Sequence, residues 1–200
     1  HNNGTFGIMA QDASPYPAPK QVSDSASTLH IKSETLLNGI NRCLFATAND
    51  EIRLVMNGIF VDLRPDSIIF AGTDGRKLVR NTISNVQTDA ACGFILPKKV
   101  AAILRAVLDK NDEDVEIRFD EDKATIRTND MVMHFRLIEG RYPNYNAVIP
   151  TSNPFMATID RAAFASALKR VSVFCNQSSS LVKLELTPGT LHLMGQDPDY

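Results

Sequence analysis

Apolar positions along the chain alternate between two spacings. From Ser33 the run "SETLLNGINRCLF" sets Leu36, Leu37, Ile40 and Leu44 at helical intervals, with Ser33 standing where an N-cap would. From Pro97 the run "PKKVAAILRAVL" lays Val100, Ile103, Leu104 and Val107 on one stripe, and proline suits a first helical turn. A third helix is expected from Asp160, in "DRAAFASALKRVSVF". Shorter alternating runs lie between these. "VDLRPDSIIFAGTDG" and "LELTPGTLHLMGQDP" read as strand pairs turning at Pro65-Asp66 and Pro188-Gly189. "TIRTNDMVMHFRLI" reads as a hairpin about Asn129-Asp130. The expected class is α+β, with mostly antiparallel strands and two helices per domain.

The pattern repeats. "IKSETLLNGINRCLFAT" and "IDRAAFASALKRVSVFC" align at an offset of 128 (159 − 31), which puts Leu36 on Phe164, Ile40 on Leu168 and Arg42 on Arg170. Downstream, Leu63, Pro65, Gly72 and Asp74 fall on Leu186, Pro188, Gly195 and Asp197 at an offset of 123 (186 − 63). A fainter copy lies inside the first unit: Ile31 meets Ile95 at an offset of 64 (95 − 31), and Val61 meets Ile117 at 56 (117 − 61). The head of the chain, "NNGTFGIMAQDASPYPAP", resembles "TNDMVMHFRLIEGRYPNY", with Phe6 on Phe135 and Tyr16-Pro17 on Tyr142-Pro143. Units this long exceed solenoid periods and should be whole domains. The expected organisation is a domain tail at 1–25, a complete domain at 26–150 and the first half of another at 151–200, a piece of a longer protein.

Charge adds direction to this frame. The chain has 200 residues, 44% of them hydrophobic and 22% charged, and a formal net charge of −2. A polyanion would therefore have to meet cations gathered on one face. Opposite its apolar stripe the first helix carries Asn38, Asn41 and Arg42. The second carries Lys98, Ala102 and Arg105 with Lys99 at the margin, and the third Arg161, Lys169 and Arg170. Acids collect elsewhere, in "DKNDEDVEIRFDED": Asp109, Asp112, Glu113, Asp114, Glu116, Asp120, Glu121 and Asp122. Side-by-side repeats would join the basic helix faces into one concave surface that holds a phosphate backbone without reading bases. For any single helix, a solvated face explains the same charges.

No apolar run reaches the length of a membrane helix, and no secretory leader is read. Cys43, Cys92 and Cys175 sit among apolar neighbours and read as reduced core thiols of a cytoplasmic protein. His1, His30, His134 and His192 share no ligand spacing, and the pairs Asp62/Asp66 and Asp120/Asp122 read as solvated hairpin-turn acids. No metal or cofactor is expected. "GTDGR" (72–76) lacks the glycine spacing and lysine position of a phosphate loop. Its repeat partner "GQDPD" places a proline where a backbone N–H would be needed, so the shared element is a strand-end turn.

"MNGIFVDL", "GTDGRKLVR", "LPKKVAAIL" and "EGRYPNYNAVIP" together resemble the bacterial DNA polymerase III beta subunit family, the sliding clamps. The likeness covers nearly the whole chain. It implies the DNA-clamp fold: repeated domains, two helices packed on antiparallel sheets, and two three-domain protomers closing a homodimeric ring. The family encircles duplex DNA, is loaded by a clamp loader, and tethers the replicative polymerase alpha subunit and other motif-bearing partners. It has no active site. Carried over by position, the partner-peptide groove would comprise Met56, Thr73, Gly75, Arg76, Lys77, Leu78, Pro143 and Val148. The DNA-facing set would comprise Asn38, Arg42, Arg53, Lys98, Lys99, Arg105, Lys169 and Arg170. Three positions depart from the family: Ala147 replaces an often basic residue, and Leu54 and Val55 stand where aromatics can meet DNA. Both domains that close the ring are incomplete here, so the expected state of this piece is a monomer. The rival readings are a peptide-binding adaptor without a DNA role and a hydrolase.

Overall fold

The computed structural model describes residues 3–19, 21–84, 86, 91–108 and 113–197; His1, Asp109, Asp112 and Pro198 lie outside the described residues. Two compact units divide the chain, His1–Ile149 and Pro150–Tyr200. In the first, strand β1 (Ser27–Lys32) leads into helix α1 (Ser33–Cys43), followed by β2 (Gly58–Arg64), β3 (Ser67–Thr73) and β4 (Leu78–Ser84). The same order then recurs as β5 (Cys92–Pro97), α2 (Lys98–Val107), β6 (Asp114–Phe119), β7 (Lys123–Arg127) and β8 (Val132–Arg136).

The two half-units exchange their first strands. One sheet runs β4-β3-β2-β5 and the other β1-β6-β7-β8, and every pairing is antiparallel. Val61 lies opposite Phe94 across the β2–β5 ladder, and Leu29 opposite Ile117 across β1–β6. Both ladders follow from alternation: Leu29 and Ile31 turn inward while His30 and Lys32 turn out. The inner faces of both sheets close with α1 and α2 around a single core, in which the Phe94 and Phe119 rings lie 4.5 Å apart between β5 and β6. Fully buried side chains there, such as Leu36, Ile40, Leu104 and Ile117, each stabilise the unit by roughly 1.5–3 kcal/mol.

Helix α1 buries Leu36, Leu37, Ile40 and Cys43, as its spacing predicts. Its start differs from the expected cap. Lys32 occupies the cap position without a side-chain capping bond, and Ser33 is the first helical residue, fully buried. β1 runs straight into the helix, and the Ser33 N–H donates to the Glu113 carbonyl (2.9 Å) at the neighbouring strand's edge. Gly39 lets α1 approach β3: a Cβ there would lie 2.5 Å from the Phe70 ring. Cys43 is also buried, its thiol donating to the Phe70 carbonyl (3.3 Å), and burial pushes the thiol up to about 11.

Helix α2 is rolled from the predicted stripe. Ala101 and Leu104 are its buried residues, Val100 is half-buried, and Ile103 and Val107 are 41% and 51% exposed. The small Ala101 faces the sheet and leaves the bulkier neighbours at the margin. Pro97 precedes the helix as its cap residue.

Sheet β4-β3-β2-β5 is covered on its second face as well, which is why β3 is buried along almost its whole length. After β8 the chain crosses between sheets: the Leu137 N–H donates to the Asp122 carbonyl (2.8 Å) and the Ile138 N–H to that of Ile95 in β5 (3.2 Å). Residues 138–149 then lie as a strap over Ile69, Ala71 and Ile95, burying Tyr142 and Tyr145. Residues 3–19 form no strand, and Phe6 and Tyr16 are 84% and 82% exposed. They therefore do not share the surroundings of Phe135 and Tyr142, their sequence counterparts.

The second unit holds α3 (Arg161–Ser172) against the hairpin of β9 (Val182–Thr187) and β10 (Thr190–Gly195). Asp160 caps α3 by accepting from the Ala163 N–H (2.7 Å). The offsets of 128 (161 − 33) and 123 (190 − 67) carry the starts of α1 and β3 onto those of α3 and β10.

Replacing Gly39 by alanine is expected to lower the stability of the first unit by about 1–3 kcal/mol, because the added methyl must displace Phe70. Urea unfolding followed by circular dichroism measures this; an unchanged midpoint would contradict the close approach of helix and sheet.

Candidate functional site

Three segments of the first unit meet around the buried tyrosines of the strap: the loop 48–57, the β3–β4 turn and the strap itself. Val55, Leu78 and Ile149 pack against the cluster of Ile69, Ala71, Ile95, Tyr142 and Tyr145. The loop is built from its own polar groups. The Asp50 N–H donates to Asn57 Oδ1 (2.8 Å) and Asn57 Nδ2 returns a bond to the Asp50 carbonyl (2.7 Å). The Asp50 carboxylate accepts from the Ile52 and Arg53 N–H groups (2.8 and 2.9 Å) and from the Arg53 guanidinium (2.7 Å). The Arg53 backbone bond, followed by its side-chain bond, holds the Asp50 carboxyl down to about 2.

The β3–β4 turn is closed in the same manner. Thr73 Oγ1 donates to the Lys77 carbonyl (2.8 Å) and accepts from the Gly75 N–H (3.0 Å). Asp74 accepts from the Arg76 and Lys77 N–H groups (2.9 Å each) and pairs with the Lys77 ammonium, which lowers its pKa first through that side-chain bond. Gly75 adopts φ +85°, and a Cβ there would meet Arg53 Nη1 at 2.7 Å. Loop and turn therefore touch. In the strap, Gly140 at φ +123° lies against Val55, where a Cβ would stand 2.9 Å from Cγ1.

The residues expected to form the peptide groove are distributed over these segments. Thr73, Gly75, Arg76, Lys77 and Leu78 share the turn, with Thr73 buried and Leu78 half-buried on the cluster. Met56 is half-buried beside Val55. Pro143 is half-buried next to Tyr142, and Val148 is 69% exposed at the end of the short 3-10 turn Tyr145–Val148.

The residues of this unit expected to face DNA lie on the helix layer, with one exception. α1 lies beside α2. Asn38, Arg42, Lys99 and Arg105 are exposed on them, and Glu34 is exposed on α1 as well. Arg42 and Asn38 line a shallow depression with Thr35, Asn81 and Thr82. Lys98 is half-buried, its ammonium donating to Asn49 Oδ1 (3.1 Å). Arg53 pairs with Asp50 and lies next to Gly75 of the β3–β4 turn. Lys169 and Arg170 are exposed on α3 in the second unit, where Arg170 donates to Ser166 Oγ (2.9 Å).

Asp62 does not fit its sequence reading. It lies within β2, not on a turn, and its Oδ2 accepts from Tyr145 Oη (2.8 Å) and Arg64 Nη2 (3.0 Å). Asp120 is a turn residue whose carboxylate accepts from the Ser23, Asp122 and Lys123 N–H groups. His30, His134 and His192 are exposed on β1, β8 and β10. Among the described residues no group of three metal-ligating side chains occurs, and no helix is long and apolar enough to cross a membrane.

The family profile described as the DNA polymerase III beta subunit, central domain, matches residues 30–144. The beta sliding clamp of Rickettsia felis is 30% identical over 195 residues, covering 96% of this chain and 51% of that protein. The beta subunit from DNA polymerase of Streptococcus pyogenes superposes with a TM-score of 0.89 at 23% identity, over 98% of this chain and 53% of that one. The sliding clamp of Bartonella birtlesii, solved bound to griselimycin, gives a TM-score of 0.80 at 27% identity over 92% and 50%. The chain thus spans about half the length of the relatives it matches. With the central-domain profile covering more than half of its residues, the chain belongs to the DNA polymerase III beta subunit family, the beta sliding clamps.

Proposed function

We propose that this chain works as part of a sliding clamp, which encircles duplex DNA without sequence preference and tethers the replicative polymerase. The observation that carries this reading is the helix layer of the first unit, in a chain of this family. α2 has no acidic residue; Lys99 and Arg105 are exposed on it, and Arg42 is exposed on the neighbouring α1. Long, flexible cations on a rigid helix pair meet phosphates at any sequence and exchange them easily, as sliding requires. Lys169 and Arg170 on α3 would repeat this chemistry in the next domain.

The groove supplies the tether. Met56, Leu78, Pro143 and Val148 offer an apolar recess for aliphatic and aromatic anchors, with methionine adapting its shape. Arg76 and Lys77 at the turn would steer acidic or glutamine-containing segments of the polymerase alpha subunit, the clamp loader and other motif-bearing proteins. The reading entails a non-catalytic, cytoplasmic protein that works as a homodimeric ring at full length, with this piece alone a monomer.

Two outcomes are expected. Changing Arg42, Lys98, Lys99 and Arg105 together to alanine should weaken binding to unrelated duplexes equally. Its salt dependence should become shallower by roughly 0.9 for each phosphate that is no longer neutralised. Fluorescence anisotropy over a salt series measures both; weakening confined to one sequence, or no salt-dependent DNA binding by the unaltered protein, would remove the DNA role. Separately, Met56→Ala with Pro143→Ala should abolish capture of a short glutamine-containing peptide with leucine and phenylalanine anchors. Wild-type affinity in a folded double variant would remove the groove.

A further inference from the structure

The strap that carries Pro143 and Val148 is fastened at two tyrosines. Tyr142 stacks on Phe60 (centroids 5.0 Å apart, planes 10° apart), and its hydroxyl donates to the Ala71 carbonyl (3.4 Å). Burial pushes its phenol up to about 12, so it stays a donor through the working range. Three residues on, Tyr145 is buried and its hydroxyl donates to Asp62 Oδ2 (2.8 Å). Pro143 is therefore bracketed by the two anchors. Tyr145 also opens the 3-10 turn that ends at the exposed Val148.

Asp62 holds Tyr145 from the sheet. β alternation sends Phe60, Asp62 and Arg64 to the face under the strap, while Ile59, Val61 and Leu63 enter the main core. Arg64 directs Nη2 (3.0 Å) and Nε (3.3 Å) to the same Asp62 oxygen, and its Nη2 lies 3.5 Å from Tyr145 Oη. With its side chain only 20% exposed, Asp62 is shielded enough for these charge-assisted bonds to fix one geometry. Among the described residues the 3-10 turn Tyr145–Val148 has no side-chain cap to do this work.

We propose that Asp62 and Arg64 are positioning residues for the peptide groove. They act through Tyr145 to hold the strap where Pro143 and Val148 complete the recess, without touching the bound peptide. This rests on the groove reading above. Removing the phenol hydroxyl leaves the ring packing intact but frees the turn, so binding must then include the cost of ordering it.

The test is calorimetric titration with griselimycin, the ligand present in the Bartonella birtlesii clamp structure. The unaltered protein, Tyr145→Phe, Asp62→Ala, their combination, and Met56→Ala with Pro143→Ala are compared. Tyr145→Phe and Asp62→Ala should each weaken binding about tenfold, the Tyr145→Phe change with the thermal midpoint nearly unchanged. The combined variant should be no weaker than the worse single change, since both remove the Tyr145–Asp62 bond. Amide exchange should quicken at residues 146–148 and stay slow in β2 and β3. Wild-type affinity in both single variants, with binding abolished in the groove variant, would overturn the positioning role and leave the groove standing. Wild-type binding by the groove variant, or none by the unaltered protein, would overturn the groove and this role with it.

Discussion

The first unit depends on the exchange of β1 and β5 between its halves. Neither half-unit closes its own sheet. β1 finds its partner β6 only after the chain has passed through the whole first half, and β5 returns to β2 across the same core. One edge of each sheet is thus a long-range pairing, and apolar burial that neither half could supply alone is pooled. The Phe94–Phe119 pair sits where the exchanged strand of one half meets the strands of its own. One cooperative unit results, and helices α1 and α2 are fixed relative to both sheets because they seal the core the sheets share.

That constraint separates two surfaces. On β2 and β3, alternate residues face the helices (Ile59, Val61, Ile68, Phe70) or the strap (Phe60, Ile69, Ala71). The cationic helix layer and the tyrosine-anchored strap therefore lie on opposite faces of one sheet. In the proposed function, a long polyanion and a short peptide are held at once, each by chemistry suited to it: screened, sliding contacts on one side and shape-selective apolar contacts on the other. The loop 48–57 joins the two. Lys98 binds its Asn49 at the start of α2, while Arg53 reaches the β3–β4 turn. Its internal bonds keep that junction stiff. The pairing of Arg53 with Asp50 also ties a cation, expected from the family resemblance to meet DNA, to this junction.

Much of this was legible because local periodicity and turn chemistry are written in neighbouring residues. The α1 stripe, the hairpin closed by the Thr128–Met131 bond, and the Asp160 cap all depend on side chains within a few positions of one another. The copies at offsets 128, 123, 64 and 56 were visible because duplicated cores need apolar residues at matching places. Asp62 was misread for the opposite reason. Its partner Tyr145 lies 83 residues away, and no local signal distinguishes a carboxylate under a strap from one in solvent. Ser33 sits inside the helix, not at its cap, because β1 runs into α1 and β6 brings the Glu113 carbonyl to its N–H.

By itself, then, the sequence determined the class of element at each stretch, the repeat that orders them, and the basic side of each helix, since all of these follow from spacing. Tertiary structure decided which half each first strand joins and how far α2 rolls onto Ala101. It also decided that Arg53 belongs with the turn, and that Asp62, Arg64 and Tyr145 form one fastening. Those outcomes turn on burial and on partners from distant segments, which set the strength of a charge or a hydrogen bond only once the core has excluded water.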